Sequence, residues 1–170
     1  MRNEIWQSLV LSIYATPRGF AFVLFESPLS PVDWGVKVIP GRNKNARCIK
    51  EIAKLIDRYQ PDAVVIEDCG VVGSRRSSRI RRLYRAIEAW ASNQMIRTFR
   101  FSRNLVRETF SKLGAFTKDE IAEAIAKLIP AFEHRLPPIR RLWMSEDSRM
   151  GLFDAIALTF TFFRFGIQTT

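Results

Sequence analysis

Apolar residues recur along this chain at two spacings, and the changes between them mark out its elements. Residues 8 to 13 (Ser-Leu-Val-Leu-Ser-Ile) and 20 to 26 (Phe-Ala-Phe-Val-Leu-Phe-Glu) are short strand-like runs, and Ala-Thr-Pro-Arg-Gly between them predicts a hairpin turn. Pro28 and Pro31 punctuate a loop, after which Asp33-Trp-Gly-Val-Lys-Val-Ile39 alternates as a third strand. From Asn45 the period lengthens: Ile49, Ile52, Ala53 and Ile56 share a helical face until Tyr59-Gln-Pro61 ends the run. Val64, Val65 and Ile66 are continuous and β-branched, the pattern of a strand buried on both faces. Ser77 is placed to cap a second helix whose Ile80, Leu83, Tyr84, Ile87 and Trp90 lie together. Residues 96 to 101 alternate as a fifth strand, and Asn104 to Leu113 reads as a short helix closed by Gly114. Thr117-Lys-Asp-Glu120 has the form of a capping box before a helix that Pro130 stops. A loop with Pro137-Pro138 leads to a last helix predicted from about Ser145 to Phe165.

The resulting order is β-β-β-α-β-α-β-α-α-α, antiparallel strands first and crossover helices later. It implies an α/β domain with a mixed five-stranded sheet and helices on both faces, the ribonuclease H-like arrangement. At 170 residues one domain over residues 1–170 is expected, with material for a core: 47% of residues are apolar and 13 are Phe. That composition excludes a disordered chain. Only Cys48 and Cys69 are present, without a C-x-x-C or clustered histidines, so neither a zinc site nor a disulfide framework is indicated and a reducing cytoplasm fits. The start, Met1-Arg-Asn-Glu-Ile-Trp, is unlike a secretory signal, and Asp154 and Arg164 interrupt the apolar run from Gly151 to Ile167. That run, shorter than the ~20 residues of a span, predicts a buried helix and no membrane association.

Charge adds a partner to this picture. There are 27 Lys and Arg against 17 Asp and Glu, a net charge of +10, which favours a polyanion and in particular nucleic acid. The densest basic element is Ser74-Arg-Arg-Ser-Ser-Arg-Ile-Arg-Arg-Leu-Tyr-Arg85, where Arg75, Arg76, Arg79 and Arg82 are expected mainly on one side of a helix start. Phosphate contact there would draw on backbone donors and the helix dipole; a solvated cationic face is the other reading. Arg135, Arg140 and Arg141 make a second, weaker patch.

The acids suggest chemistry. Pro61-Asp-Ala-Val-Val-Ile-Glu67-Asp68 brings Glu67 to the carboxyl edge of a strand, where open α/β sheets bind ligands, while Asp68 suits a turn. Asp154 lies among Leu152, Phe153, Ala155 and Ile156, and an acid inside an apolar segment needs a partner or a role. Asp147 precedes it by two helical turns, so a helix starting early enough would carry both on one face. Two-metal phosphodiester hydrolysis needs carboxylates converging from different elements, as Glu67 and Asp154 would. Ser145-Glu-Asp147 reads equally as an ordinary helix start. No pattern places the lone His134 beside a nucleophile.

Several of these segments together resemble the RuvC family of Holliday-junction resolvases, within the ribonuclease H-like superfamily, over roughly residues 9 to 165. They are Leu11-Ser-Ile-Tyr14 with the Arg18-Gly-Phe-Ala hairpin, Ala63-Val-Val-Ile-Glu67, Val106-Arg-Glu-Thr-Phe through Gly114 to Thr117-Lys118-Asp-Glu-Ile, and Asp154-Ala-Ile-Ala-Leu. The resemblance implies that Glu67 and Asp154 bind Mg²⁺ or Mn²⁺, that Lys118 lies near DNA or the scissile phosphate, and that a homodimer embraces branched DNA. Two positions depart from it. Tyr14 stands where the family has an aspartate ending its first strand, and a phenol is no substitute for a hard oxygen ligand near neutral pH. Gly151 stands where the family has an acid one turn before its last aspartate, a loss that Asp147, one turn further back, would offset. The expectations left by the sequence are a metal-dependent endonuclease using Glu67, Asp147, Asp154 and Lys118, a catalytically silent DNA- or RNA-binding protein, or a protein-interaction module.

Overall fold

The strands form where the β-branched and aromatic runs place them, and their pairing sets the direction of every side chain at the site. The computed structural model describes residues 7–165; the segment Met1-Arg-Asn-Glu-Ile-Trp, read as unlike a secretory signal, lies outside that range, as does the end of the apolar run. Strands β1 (Val10–Thr16), β2 (Gly19–Ser27), β3 (Ser30–Val38), β4 (Ala63–Glu67) and β5 (Arg97–Phe101) form one sheet in the order β3-β2-β1-β4-β5. The β1–β2 and β2–β3 pairs are antiparallel and the β1–β4 and β4–β5 pairs parallel, the mixed sheet that the element order predicts. β1 runs three residues beyond the sequence expectation because Thr16 still pairs with Gly19 across the Pro17-Arg18 turn. Gly19 is required there by close approach: a Cβ would sit 2.0 Å from the Lys37 carbonyl oxygen of β3.

Helices cover both faces. On one side α1 (Lys44–Tyr59) and α2 (Ser78–Asn93) pack over Leu11, Ile13, Ala15, Val64 and Ile66. On the other, α3 (Arg103–Ser111), α4 (Lys118–Leu128), a 3₁₀ turn (Pro130–Arg135) and α5 (Met150–Phe165) meet Val10, Val23, Phe25, Ala63 and Val65. Helix starts follow their caps. Ser77 Oγ accepts from the Ile80 amide, and the Thr117–Glu120 capping box is complete. α5 is apolar almost all round and buried against the sheet. The Thr159 hydroxyl at its middle donates to Ser12 Oγ at 2.7 Å. No helix among the described residues is long and apolar enough to cross a membrane.

The start of the last helix also differs from expectation, with consequences for the site. α5 begins at Met150, five residues later than predicted, because Asp147 caps its own turn. Its carboxylate accepts from the Arg149 amide at 2.9 Å, a local bond that competes with helix formation. Asp147 therefore does not share a helical face with Asp154, contrary to the two-turn spacing argument.

Candidate nucleic-acid interface

Strand alternation fixes what reaches the crevice. Ser12 pairs with Val65 and Ile13 with Ile66, so Tyr14 and Glu67, one position further on, emerge side by side on the face that α5 covers. Asp154, on the first turns of α5, comes down onto the same place. Glu67 and Asp154 thus converge from a strand and a helix, with the Tyr14 ring beside both.

Each carboxylate is already held by a cation of the protein. Arg76 Nε lies 2.8 Å from Glu67 Oε2, with both side chains largely buried. The same guanidinium sits over the Tyr14 ring, 4.8 Å from its centroid, and donates to the carbonyl of Ala15. Tyr84, fully buried below, accepts from the Ala15 amide at 2.9 Å and from Arg76 at 3.5 Å. On the other side Lys118 Nζ lies 3.1 Å from Asp154 Oδ2, 2.6 Å from Glu146 Oε1 and 5.8 Å from the centroid of the Tyr14 ring. The capping box fixes Lys118 at the first position of α4 and so directs it at this crevice.

Burial sets the protonation behaviour. Asp154 is pushed up to about 6, chiefly by desolvation; Lys118 opposes the rise, and Glu146 and Glu67 add to it. The Tyr14 phenol is raised far above its ordinary range, first by burial and then by the negative Asp154, so it stays neutral. Cys69, which donates to Glu67 Oε2 at 3.7 Å, is pushed up to about 11 by burial and by that carboxylate.

Asp147 lines the same cavity of about 280 Å³ as Tyr14, Arg76, Glu146 and Asp154, but both of its oxygens are taken. Arg149 grips them at 2.9 and 2.7 Å, which holds the Asp147 carboxyl below its ordinary value. Gly151 faces this cavity too. A Cβ there would approach Thr16 Cγ2 tightly, at 3.0 Å, and would meet Ala21 Cβ at 3.6 Å and Tyr14 Cδ1 at 3.8 Å in ordinary contact. The two departures from the family pattern are neighbours in space.

These placements bear on a divalent cation. Mg²⁺ and Mn²⁺ require several hard oxygens around one point. Glu67 and Asp154 are each neutralised by a protein cation, Asp147 is turned to Arg149, and the group between them is a neutral phenol. Among the described residues no three His, Cys, Asp or Glu side chains converge to hold a metal ion. As placed, the donor set does not fit the ion.

The arginines divide into two groups, and the single basic helix side expected from sequence does not form. Arg76 precedes α2 and turns inward; Arg79 donates to the Thr16 carbonyl at 2.9 Å and to Asn45 Oδ1 at 3.0 Å, tying α2 to the β1 end and to α1. Arg75 and Arg82 are exposed, as are Arg140 and Arg141. Two residues that the sequence reading passed over join the rim: Arg103 and Arg107, exposed on α3, line a small recess with Lys118 and Asp154. Their four-residue spacing after the Ser102 cap was the available signal. Arg81 was also missed; it donates to the carbonyls of Arg76 and Ser74 at 3.1 and 2.9 Å and holds the Arg76 loop in position.

No protein-family model matches the chain, and no curated protein matches its sequence. Solved structures do match. RuvC of T. thermophilus, in complex with a Holliday junction substrate, aligns with a TM-score of 0.67 over 96% of this chain and 97% of its own, at 14% identity. A second Thermus thermophilus RuvC structure gives 0.64 over 93% and 96%, at 16% identity. The yeast mitochondrial Holliday junction resolvase gives 0.66 over 95% of this chain and 80% of its own, at 13% identity. The chain therefore has the RuvC-type, ribonuclease H-like fold; at these identities the likeness is one of fold.

Proposed function

We propose that this chain binds nucleic acid, branched DNA above all, across the basic rim of the crevice, and that Glu67 and Asp154 hold that rim in shape in place of cleaving. The observation that carries the reading is the pairing of both carboxylates with protein cations, Glu67 with Arg76 and Asp154 with Lys118, around a neutral Tyr14. Two internal cations do here electrostatically what divalent ions would do for the acids of a two-metal site, without offering a Lewis acid or an activated water. The fold and the net charge of +10 support the polyanionic partner.

Fluorescence anisotropy with a labelled four-way DNA junction tests this. Binding is expected to fall steeply with salt, to persist in EDTA at matched ionic strength, and to leave the DNA intact in Mg²⁺. Replacing Arg75, Arg103 and Arg107 by alanine should lower the slope of log affinity against log salt by up to about 0.9 per lost phosphate contact. Mn²⁺-dependent cleavage by the wild type, abolished in Glu67→Ala and Asp154→Ala, would overturn the silent reading. That outcome would favour the endonuclease expected from Glu67, Asp147, Asp154 and Lys118, which one observation supports: Glu67 and Asp154 do converge at the sheet edge. It would require Arg76 and Lys118 to leave their carboxylates when the metal and substrate arrive.

A further inference from the structure

The segment between the 3₁₀ turn and α5 exposes apolar side chains to an unusual degree. Ile139 is 73% exposed, Leu142 100%, Trp143 78% and Met144 45%. Isolated exposed apolar residues are ordinary, but four within six positions, including an indole, form a patch of the kind that meets a partner. The tip is built. The Met144 amide donates to the Arg141 carbonyl at 3.0 Å, closing a tight turn with Leu142 and Trp143 at its apex, and Arg140 Nε donates to the Met144 carbonyl at 2.7 Å. The Arg141 guanidinium lies over the indole, 5.6 Å from its centroid, while Trp143 as a whole stays largely open to solvent. The turn stands at the crevice mouth: Arg140 shares a recess with Lys118, and Glu146, two residues beyond the turn, binds Lys118.

We infer that Trp143 is a stacking platform for an unpaired nucleobase, with Arg140 and Arg141 holding the flanking phosphates. This rests on the nucleic-acid reading above and specifies which part of the nucleic acid the loop takes. A base has an apolar face for the indole and an anionic backbone for the arginines, which together match the exposed indole and the flanking charge. A fully paired duplex offers its phosphates but keeps its bases stacked. A protein partner would satisfy the apolar tip, yet it gives no reason for a guanidinium on the ring and two exposed arginines beside it.

The test compares full-length wild type, Trp143→Ala and Trp143→Phe on two DNAs of equal length: a perfect duplex and the same duplex with a short unpaired gap carrying 2-aminopurine. Trp143→Ala is expected to weaken binding to the gapped DNA about tenfold, to leave duplex affinity and the salt slope unchanged, and to abolish the change in 2-aminopurine emission. Trp143→Phe should keep most of both signals. Because the indole is exposed, the melting temperature should not move, which separates stacking from folding. Equal loss on both DNAs, or no loss on either while the wild type binds, overturns the platform and leaves the binding reading intact. A wild type that binds neither DNA at low salt overturns both. Trp143-dependent binding to anionic vesicles with unchanged DNA affinity also overturns the platform.

Discussion

Replacing Arg76 by methionine removes the cation that faces Glu67 in the crevice. Arg76 Nε and Glu67 Oε2 are 2.8 Å apart, with the two side chains 20% and 10% exposed. At an effective dielectric of about 20 the direct attraction across that distance is about 6 kcal/mol, most of which offsets the cost of taking both ions out of water. Removing one partner leaves that cost standing: Glu67 loses the cation that faces it, and the Ala15 carbonyl loses its donor. The expected destabilisation is about 3–5 kcal/mol, which for a chain of 170 residues lowers Tm by roughly 6–20 °C. Removing both charges in the Glu67→Met, Arg76→Met double variant should recover most of the loss, because no uncompensated ion remains. Urea denaturation of wild type, both single variants and the double variant gives the coupling directly. An Arg76→Met variant within about 1 kcal/mol of wild type, or a double variant whose loss is the sum of the singles, would refute the argument that these groups stabilise each other.

The remaining predictions concern the other carboxylate and the space beside it. Asp154 holds its proton more tightly in the folded chain, up to about 6 against 3.8, so its contribution is most favourable below about pH 4 and is lost as the pH rises through 6; the difference amounts to about 3 kcal/mol. Asp154→Asn should therefore flatten the stability profile between pH 4 and 6 and raise stability at pH 7 by up to about 3 kcal/mol, less whatever Lys118 loses; an unchanged slope in urea titrations across that range would count against it. Gly151→Asp should cost about 1–3 kcal/mol, since even its Cβ would press on Thr16; a variant as stable as wild type would show that the crevice has room for the missing acid.

The local elements were legible in the sequence because their causes are local. The β-branched run Val64-Val65-Ile66, the Ser77 cap and the Thr117–Glu120 box each act within a few residues, and the structure forms strand and helices there. The order of strands and helices limited the sheet to a mixed one with helices on both faces, and the isolated acids Glu67 and Asp154 pointed to a shared crevice. The start of α5 was read too early because a carboxylate that bonds its own neighbour's amide looks, in sequence, like one that opens a helix. Which charges meet was not legible either. Arg75, Arg76, Arg79 and Arg82 look alike along the chain; only the packed structure turns Arg76 onto Glu67 and Arg79 onto Thr16 while leaving Arg75 and Arg82 in solvent. Likewise Gly151 and Tyr14 are 137 positions apart, yet the packed structure sets both beside Asp154 around one cavity. Periodicity and capping are set by neighbours in sequence, whereas the partner of a charge and the room beside a residue are set by neighbours in space, which exist only once β1, β4, α4 and α5 have come together.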